Sequence, residues 1–462
     1  MTLTFDASNN PFLNGIFAPL QTELHDTPLK VMAGAIPKDL TGTYLRNGPN
    51  ARFTPIGSYT YPLDGDGMIH AVSFAEGRAA YKNRYVRTPS MAAEERAGRA
   101  LWGGLMTPIQ PSAEEVGPEL ATRFKDLPDV SIVRHAGRLL ALAESARPFL
   151  LSDNLDTVGP WYFGGKLPKG ITAHAKVDPV TGELVVFRYD FEAPFLTWAV
   201  VGKDGVVTRA ERPVEIDAPY MIHDFVITAR FIVLFICPAR FDLSGGQMLR
   251  WEPEKGTRIA MIPRDGSGPT RWITTEAFWV WHFANAFEVI GDAGAVTIVV
   301  DYPRWSQLPL GGPQPVTGSI VRARLDPIAG TARFETIDDK PAEFPRIDDR
   351  LTGQPHRYFH TAAKDRDLSR GMWNLLRRFD TRTGAVTTRS NGTAMIGEAV
   401  FAPSANSDNE NDGYLLSYAF DGDVTNLLVL HAADIDGEPA AVLRVPQRVP
   451  FGLHGCWVPS TA

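Results

Sequence analysis

Four of the ten histidines in this 462-residue sequence stand in similar surroundings and have the chemistry of metal ligands. They are His174 in TAHAKVDP, His223 in YMIHDFVIT, His282 in WHFANAFE and His454 in FGLHGCW. Each lies beside a strand-like apolar run, with small or apolar residues close by. Taken singly, each fits an ordinary core histidine. Together they offer four neutral imidazoles, which are suitable ligands for zinc, copper, iron or nickel.

The spacing of these histidines excludes a local metal motif. Consecutive members are 49, 59 and 172 residues apart, unlike the ligands of a zinc finger or of an HExxH helix. Ligands from such distant segments must be brought together by the fold. Two kinds of site remain open: a closed, structural zinc site, and an iron(II) site that keeps positions for O₂ or a substrate.

The other six histidines receive no role in the chemistry. His70 closes the motif DGDGMIH, whose glycine-rich turn favours a structural role, and His135 lies in a tight hairpin turn and is expected to be exposed. The remaining four have polar or unremarkable surroundings: His25, His356, His360 and His431.

The elements that must position the four candidate ligands are short strands. The sequence contains 41 glycines and 36 prolines, which is typical of a turn-rich β protein. Three hairpins are predicted directly, with strands at 132–133 and 139–142, at 225–228 and 231–235, and at 287–290 and 296–300.

An Asp-x-x-x-Gly turn recurs at Asp178–Gly182, Asp326–Gly330 and Asp380–Gly384. Glycine supplies the positive φ that such turns need. Related turns over the whole length indicate radial repetition, as in a β-propeller, although spacing alone does not separate a propeller from a double sandwich. Helices are predicted only at Ala92–Trp102 and Ala113–Phe124. Without a linker or a low-complexity stretch, residues 1–462 are predicted to form one domain.

Composition and charge narrow the class of protein. The net charge is −7 and no run of six basic residues occurs, which argues against a nucleic-acid partner. Two cysteines, Cys237 and Cys456, are too few for a disulfide framework or a thiolate metal site. The N-terminal residues MTLTFDASNNPF lack the pattern of a signal peptide, and the longest apolar runs fall far short of the ~20 residues of a membrane helix. A cytoplasmic protein is expected.

The sequence resembles the carotenoid cleavage oxygenases through nine segments spread over nearly the whole chain. The segments are YLRNGPN (44–50), DGDGMIH (64–70), HAKVDPVTGEL (174–184), MIHDFVIT (221–228), WHFANAFE (281–288), EFPRID (343–348), GEAVFAP (397–403), NDGYLLS (411–417) and FGLHGCW (451–457). The resemblance implies an all-β fold, a seven-bladed β-propeller with a helical and loop dome over an axial metal site. It also implies that the metal is iron(II), held by the four histidines.

The same resemblance assigns roles to three glutamates that would otherwise pass for surface or strand-edge residues. They are Glu144 in LLALAES, Glu343 in EFPRID and Glu398 in GEAVF. Each is expected to accept a hydrogen bond from a metal-binding histidine, which orients the ring and fixes its tautomer. His174 is the ligand expected to lack such a glutamate.

The implied reaction is oxidative cleavage of an alkene. O₂ adds across one C=C bond, which breaks to give two carbonyl products. The resemblance calls for no organic cofactor and for no catalytic side chain beyond the metal centre. The partners are therefore O₂ and a lipophilic alkene held in an apolar tunnel.

The substrate class is inferred from two positions. Relatives that cleave phenols hold the substrate hydroxyl with a tyrosine and a lysine. The matching positions here carry Leu105, in LWGGLMTP, and Ala143, immediately before Glu144. Because a site built to hydrogen-bond a hydroxyl loses its discrimination without those groups, a carotenoid or apocarotenoid is preferred. The alternatives are cleavage of a hydroxystilbene or a vinyl or propenyl phenol, and a non-catalytic binding propeller.

The stretch ALWGGLMTPIQP (100–111) is unusually apolar. It fits a loop packed into the core, and it also fits a tunnel mouth that makes peripheral contact with a membrane to collect lipophilic substrate. Exposure of this stretch would support membrane contact, and full burial would count against it.

Overall fold

The computed structural model describes residues 7–60, 62–107, 109–242, 248–309, 316–365, 373–405 and 407–460. The chain divides into two compact units. The first unit comprises Met1–Ile171, Thr393–Ser407 and Gly413–Ala462, and the second comprises Thr172–Gly392 and Asp408–Asp412. The single domain expected over residues 1–462 stays a prediction.

The first unit contains three antiparallel sheets. The five-stranded sheet has the order Thr27–Pro28, Arg78–Tyr85, Gly67–Ala75, Gly42–Pro49 and Gly455–Pro459. The four-stranded sheet has the order Ser131–His135, Arg138–Leu142, Phe149–Leu151 and Thr157–Pro160. The six-stranded sheet contains Lys30–Gly34, Ala441–Arg444, Val424–His431, Gly413–Asp421 and Met395–Ile396, with Val400–Pro403 also paired to Gly413–Asp421.

The second unit contains four sheets of four antiparallel strands, each a meander in chain order. The first two are Lys176–Val177, Leu184–Tyr189, Leu196–Val201 and Val207–Pro213, and then Val226–Ile227, Phe231–Ile236, Thr257–Pro263 and Arg271–Thr275. The next two are Asn285–Ile290, Val296–Trp305, Gly318–Asp326 and Thr331–Asp338, and then Ala342–Arg346, Tyr358–Ala363, Leu375–Asp380 and Val386–Ser390. A two-stranded ribbon, Ala239–Phe241 with Leu249–Trp251, is separate from them.

Among the described residues there are thus seven sheets of four to six strands, three in the first unit and four in the second. They are the blades of the predicted seven-bladed β-propeller, and the all-β fold class is confirmed. The helical and loop dome over an axial site stays a prediction.

The strand Phe231–Ile236 shows why these short sequences form strands inside a stack of sheets. Its residues Ile232, Leu234 and Ile236 pack in one apolar cluster with the preceding sheet. Val233 and Phe235 point the other way, into a cluster with the following sheet. Because successive side chains of a strand face opposite sides, a strand covered on both faces is a continuous apolar run rather than an alternating one.

The recurring Asp-x-x-x-Gly turns close three hairpins of the second unit in the same way. In each turn the glycine N–H donates to the carbonyl of the aspartate, at 2.8 Å for Gly182, 3.0 Å for Gly330 and 2.8 Å for Gly384. These glycines have φ of 72°, 66° and 72°, where a side chain would be strained. The local prediction is confirmed because the turn is specified by residues within five positions of one another.

The three predicted hairpins are confirmed as Ser131–His135 with Arg138–Leu142, Val226–Ile227 with Phe231–Ile236, and Asn285–Ile290 with Val296–Trp305. Helix positions were predicted less well. The first helix is Pro89–Ala97 instead of Ala92–Trp102, since Thr88 caps its start and Gly98, at φ 66°, ends it.

The second predicted helix, Ala113–Phe124, is instead two short helices, Ala113–Val116 and Pro118–Ala121. Gly117 separates them with φ 86°, and the proline that follows has no N–H to continue the first helix. Short 3₁₀ turns occur at Ala7–Asn9, Pro11–Leu13, Gly15–Phe17, Pro253–Lys255, Asp292–Gly294 and Asp349–Leu351. No helix in the described part of the chain has the length and apolar character needed to cross a membrane.

Distant parts of the chain pair in the first unit. Gly42–Pro49 forms an antiparallel ladder with Gly455–Pro459, with Arg46 opposite Gly455. Lys30–Gly34 pairs in the same manner with Ala441–Arg444. These two pairings fix the C-terminal segment, and with it His454, to strands from the beginning of the sequence.

Candidate metal centre

Each of the four candidate ligands lies shortly before a strand. His174 lies two residues before the strand Lys176–Val177. His223 and His282 each lie three residues before the first strand of their sheets, Val226–Ile227 and Asn285–Ile290. His454 immediately precedes the strand Gly455–Pro459. Each of the four histidines therefore lies within three residues before the beginning of a strand.

Within the second unit, three imidazoles converge through the same ring nitrogen. The Nε2 atoms of His174 and His223 are 3.1 Å apart, and those of His223 and His282 are 3.2 Å apart. The ring of His223 lies 4.5 Å from that of His174 and 4.9 Å from that of His282, between centroids. Three lone-pair donors this close are an arrangement that a shared cation stabilises.

A carboxylate orients the ring of His282. The Nδ1 of His282 lies 2.7 Å from Oε2 of Glu343, which is itself buried. The second oxygen of Glu343 accepts a hydrogen bond of 2.6 Å from the indole N–H of Trp305. With the proton held on Nδ1, the lone pair of His282 is on Nε2, the atom that points toward the other two rings.

In the first unit, Glu398 holds His454 in the same manner. The Nδ1 of His454 lies 2.9 Å from Oε1 of Glu398, and the backbone N–H of Gly455 donates to Oε2 at 2.8 Å. Both groups are buried, with exposed fractions of 7% for His454 and 3% for Glu398. A carboxylate with both oxygens engaged fixes the position as well as the tautomer of the imidazole.

All four predicted ligands form one group. His174, His223, His282 and His454 each offer one ring nitrogen, and these nitrogens all lie within 4.8 Å of one another. It is the one such group of His, Cys, Asp or Glu side chains among the residues that the structure describes. The group can hold a metal ion, and its donor set of four neutral imidazoles is that of a transition metal.

Asp224 was not predicted, although it directly follows His223 in the sequence. It is buried, and its Oδ1 accepts hydrogen bonds of 2.7 Å from the N–H of Phe225 and from Nζ of Lys176. Its Oδ2 accepts the N–H of Phe283 at 3.0 Å. Asp224 thus joins the segments that carry His174, His223 and His282. An acidic residue beside a candidate ligand in IHDF was the available signal.

Two of the predicted glutamates are followed by residues in an unusual backbone conformation. Phe344, after Glu343, has φ 52°, and Ser145, after Glu144, has φ 45°. Non-glycine residues rarely adopt this left-handed region, and such strain is commonly retained at functional sites. The ring of Phe344 stacks on that of His282 at 5.5 Å between centroids, so the strained backbone also places an apolar wall beside the imidazole.

The residues predicted to select the substrate lie in the first unit. Ala143 is buried directly after the strand Arg138–Leu142 and precedes Glu144, which is half-buried. Leu105 is half-buried, and its backbone N–H donates to Oδ1 of Asp64 at 2.8 Å. Asp64 belongs to the motif DGDGMIH, so that motif helps to position the segment that carries Leu105.

The apolar stretch at 100–111 divides into two parts. Leu101 and Trp102 are buried, and their N–H groups donate to Oε1 of Glu94. Met106 is 53% exposed and Ile109 is 41% exposed. The buried part anchors the segment and the exposed part presents apolar side chains to the surface, so peripheral membrane contact stays a prediction. Pro108, in the same stretch, lies outside the described residues.

One expectation about the remaining histidines was wrong. His135 was expected to be exposed in its hairpin turn, but only 6% of it is accessible. Its hairpin is one of the packed strand pairs of the first unit, so tertiary contacts cover a residue that local reasoning places outside. Cys237 is buried, and burial raises the pKa of its thiol to about 12.

Comparison with known proteins agrees with this geometry. The profile of the family described as retinal pigment epithelial membrane protein matches residues 17–459. A carotenoid cleavage oxygenase of Mycobacterium tuberculosis is 33% identical, and the match covers 98% of each chain. The crystal structure of the lignostilbene dioxygenase of Pseudomonas brassicacearum is similar with a TM-score of 0.88 at 27% identity, over 98% of this chain and 99% of that one.

A variant of the Synechocystis apocarotenoid oxygenase gives a TM-score of 0.85 at 28% identity, over 96% of this chain and 97% of that one. These similarities span almost the entire sequence and include the four histidine segments. The resemblance inferred from the nine motifs is thereby confirmed. The chain belongs to the carotenoid cleavage oxygenase family, whose profile is that of the retinal pigment epithelial membrane protein.

Proposed function

We propose that this protein is an iron(II)-dependent dioxygenase that cleaves one C=C bond of a carotenoid or apocarotenoid with O₂, giving two carbonyl products. The observation that carries the proposal is the group of four imidazoles, two of which are oriented by carboxylates, in a chain of this family. The alkene and O₂ together supply all atoms of the two products, so the reaction needs no further co-substrate.

The donor set fits a bound transition-metal ion. Ring nitrogens 3.1 and 3.2 Å apart suit ligands of a single ion at metal–nitrogen distances of about 2.0–2.1 Å. His174, His223, His282 and His454 would hold the ion through these nitrogens. Iron(II) is preferred to zinc because zinc has no redox chemistry with which to activate O₂. When bound, iron(II) supplies that activation.

The chain's own residues supply orientation and exclusion of water. Glu343 and Glu398 keep the Nδ1 protons of His282 and His454, which leaves Nε2 of both rings available as ligands. Trp281 packs edge-on against His223 at 5.1 Å, and Phe344 stacks on His282. Such apolar walls hold an alkene near the centre and keep water away from it. We also propose Glu144 as the third orienting carboxylate.

The substrate class rests on Leu105 and Ala143. Neither side chain can donate or accept a hydrogen bond, so neither can hold a phenolic hydroxyl. An extended polyene requires no such group and gains from apolar contact. The similarity to a lignostilbene dioxygenase supports a second candidate, cleavage of hydroxystilbenes or of vinyl and propenyl phenols.

Competing substrates separate the two candidates. We expect kcat/KM for an apocarotenal to exceed that for 4-hydroxystilbene by at least about tenfold, because the lost hydroxyl contacts weaken phenol binding. Products are identified by mass spectrometry after incubation of the iron-loaded protein with each compound. Cleavage of the stilbene alone would overturn the preference for polyenes, and cleavage of neither compound would argue for a binding protein.

The double variant Leu105→Tyr/Ala143→Lys tests whether these two positions determine the preference for a polyene over a phenol. It introduces the two polar groups that phenol-cleaving relatives carry, so we expect the ratio of stilbene to apocarotenal cleavage to rise. The variant Met106→Tyr is the matched control, because it adds a tyrosine one position away, on an exposed residue. An unchanged ratio in the double variant would remove Leu105 and Ala143 from the account of specificity.

If Glu343 orients His282, the variant Glu343→Gln should lose part of its affinity for the metal. The change Glu343→Gln keeps the shape of the side chain but removes the charge that favours the Nδ1–H tautomer of His282. Loss of such a partner typically costs about 10–100-fold in metal affinity or activity. Iron titration of the apoprotein measures the effect, with Glu288→Gln, a carboxylate that pairs with Arg230, as the control. Equal affinity in both variants would mean that Glu343 has no orienting role.

A further inference from the structure

A buried arginine in the first unit lies in a ring of aromatic side chains. Arg46, on the strand Gly42–Pro49, is 2% exposed. Its guanidinium carbon lies 5.4 Å from the ring centroids of Tyr418 and Phe420 and 5.8 Å from that of Phe451. These rings stabilise the cation through their faces, but they accept none of its hydrogen bonds in the plane of the guanidinium.

The guanidinium of Arg46 has no acceptor among the described residues. None of Nε, Nη1 and Nη2 has a hydrogen-bond partner there, and the same is true of the hydroxyl of Tyr418, which is 1% exposed. Leaving buried donors without acceptors is costly, and more so when the group is charged. The buried Arg264, by contrast, has carboxylate partners: it pairs with Asp178 at 2.6 Å and with Glu183 at 3.0 Å.

The surrounding polar residues do not provide the missing negative charge. His70 lies opposite Arg46 on the neighbouring strand, with Nδ1 2.7 Å from the hydroxyl of Tyr81. Burial, followed by the charges of Arg46 and Arg448, lowers the pKa of His70 to about 3, so the ring is neutral. Arg448 donates to the backbone carbonyls of Ile16 and Ala18. Neither Arg46 nor Arg448 forms a salt bridge with another described residue, so the charge of Arg46 stays without a counter-charge there.

We propose that Arg46 and the hydroxyl of Tyr418 bind a small monovalent anion, of which chloride is the representative, inside the first unit. One such ion would accept the N–H groups of Arg46 and the O–H of Tyr418 and would neutralise the buried charge. A single guanidinium calls for a single negative charge. A small ion is favoured because a side-chain carbon at Gly452 would lie 2.7 Å from Nη2 of Arg46, so the backbone packs closely there.

Crystals grown in bromide test the site directly, because bromide replaces chloride and gives an anomalous signal. We expect a peak within hydrogen-bonding distance of the guanidinium of Arg46 and of the hydroxyl of Tyr418. Only water density at this place would overturn the proposal. A peak that persists in Arg46→Gln would be an adventitious ion only, which would also overturn it.

Thermal unfolding tests the same site in solution. In chloride, compared with gluconate at equal ionic strength, the wild-type Tm is expected to rise by about 1–3 °C, because a ligand of the folded state stabilises it. The rise should vanish in Arg46→Gln and shrink in Tyr418→Phe. Arg264→Gln, which removes an equally buried but paired arginine, should lower Tm and keep the chloride increment.

The chloride experiments test the anion site independently of the metal centre. An equal chloride increment in Arg46→Gln and wild type would overturn the anion site and leave the four-histidine group unaffected. If Arg46→Gln does not fold, the bromide crystals and the wild-type comparison of chloride with gluconate decide the question. The absence of any increment in the wild type would count against the proposal.

Discussion

The change His282→Ala is expected to abolish iron binding and alkene cleavage. His282 is one of three imidazoles whose Nε2 atoms are within 3.2 Å of a neighbour in the second unit, and it is the one held by Glu343. Loss of an orienting carboxylate alone typically costs about 10–100-fold, so loss of a ligand should exceed about a hundredfold in kcat/KM. Iron content is measured by elemental analysis of the purified protein.

A control variant and a test of folding show whether the loss in His282→Ala is specific to the metal site. His431→Ala changes an exposed histidine outside the group and should retain wild-type iron content and activity. Circular dichroism and thermal unfolding should show that His282→Ala keeps the β fold, because the imidazole lies outside the strand ladder. If His282→Ala bound as much iron as the wild type, the assignment of the four histidines as the metal centre would be wrong.

The change Lys125→Met is expected to destabilise the protein by about 3–5 kcal/mol, a typical cost of leaving buried charges without their partner. The ammonium of Lys125 lies 2.8 Å from Asp66 and 2.7 Å from Glu94, and the exposed fractions of these side chains are 7%, 2% and 1%. Replacing Lys125 leaves two carboxylates buried without a counter-charge. Urea unfolding, followed by tryptophan fluorescence, measures the change in free energy.

Two further variants test whether the loss of the counter-charge causes the destabilisation in Lys125→Met. Arg134→Met breaks the exposed pair with Asp153 and should cost less than about 1 kcal/mol. Lys125→Met/Glu94→Gln removes one of the two carboxylate charges left without a partner. It should recover part of the lost free energy of unfolding. A loss in Lys125→Met no larger than that in Arg134→Met would contradict the electrostatic explanation.

The pH dependence of this stabilisation follows from the pKa of Lys125. Burial opposes protonation of the ammonium, but Asp66 and Glu94 outweigh it, so the pKa is raised. A group whose pKa is higher in the folded state stabilises the fold fully below its unfolded pKa, about 10.4 for lysine. The difference between wild type and Lys125→Met should therefore be constant near neutral pH and diminish as the pH rises through the folded pKa of Lys125.

Glu94 of this network and the nearby Asp64 both contact the segment that carries Leu105. Glu94 accepts the N–H groups of Leu101 and Trp102, and Asp64 accepts that of Leu105. Both carboxylates therefore hold the backbone of the apolar segment that carries Leu105. Sequence reasoning treated DGDGMIH as a structural turn, which is consistent with this contact but did not anticipate what the turn holds.

Features that depend on neighbouring residues could be read from the sequence. The three Asp-x-x-x-Gly turns and the three hairpins were predicted, because each is set by the preferences of a few adjacent residues. The predicted helix boundaries were wrong at Gly98 and Gly117. A positive φ at each glycine ends a helix inside a segment whose composition is otherwise suitable for one. The four histidines were recognisable as a set, but their spacing left the metal and the type of site open.

The tertiary structure decided what depends on residues far apart in the chain. It alone brings Nε2 of His174, His223 and His282 together. It also pairs Glu343 with His282 and Glu398 with His454, contacts that the family resemblance implied without naming the pairs. The burial of His135 and the lack of a hydrogen-bond acceptor for Arg46 among the described residues were likewise invisible to local patterns. Side-chain contacts between distant strands arise only when the sheets pack, since the sequence near each residue contains no record of its partner. The sequence thus determined which residues can bind a metal, and the packing of the sheets decided how they are oriented.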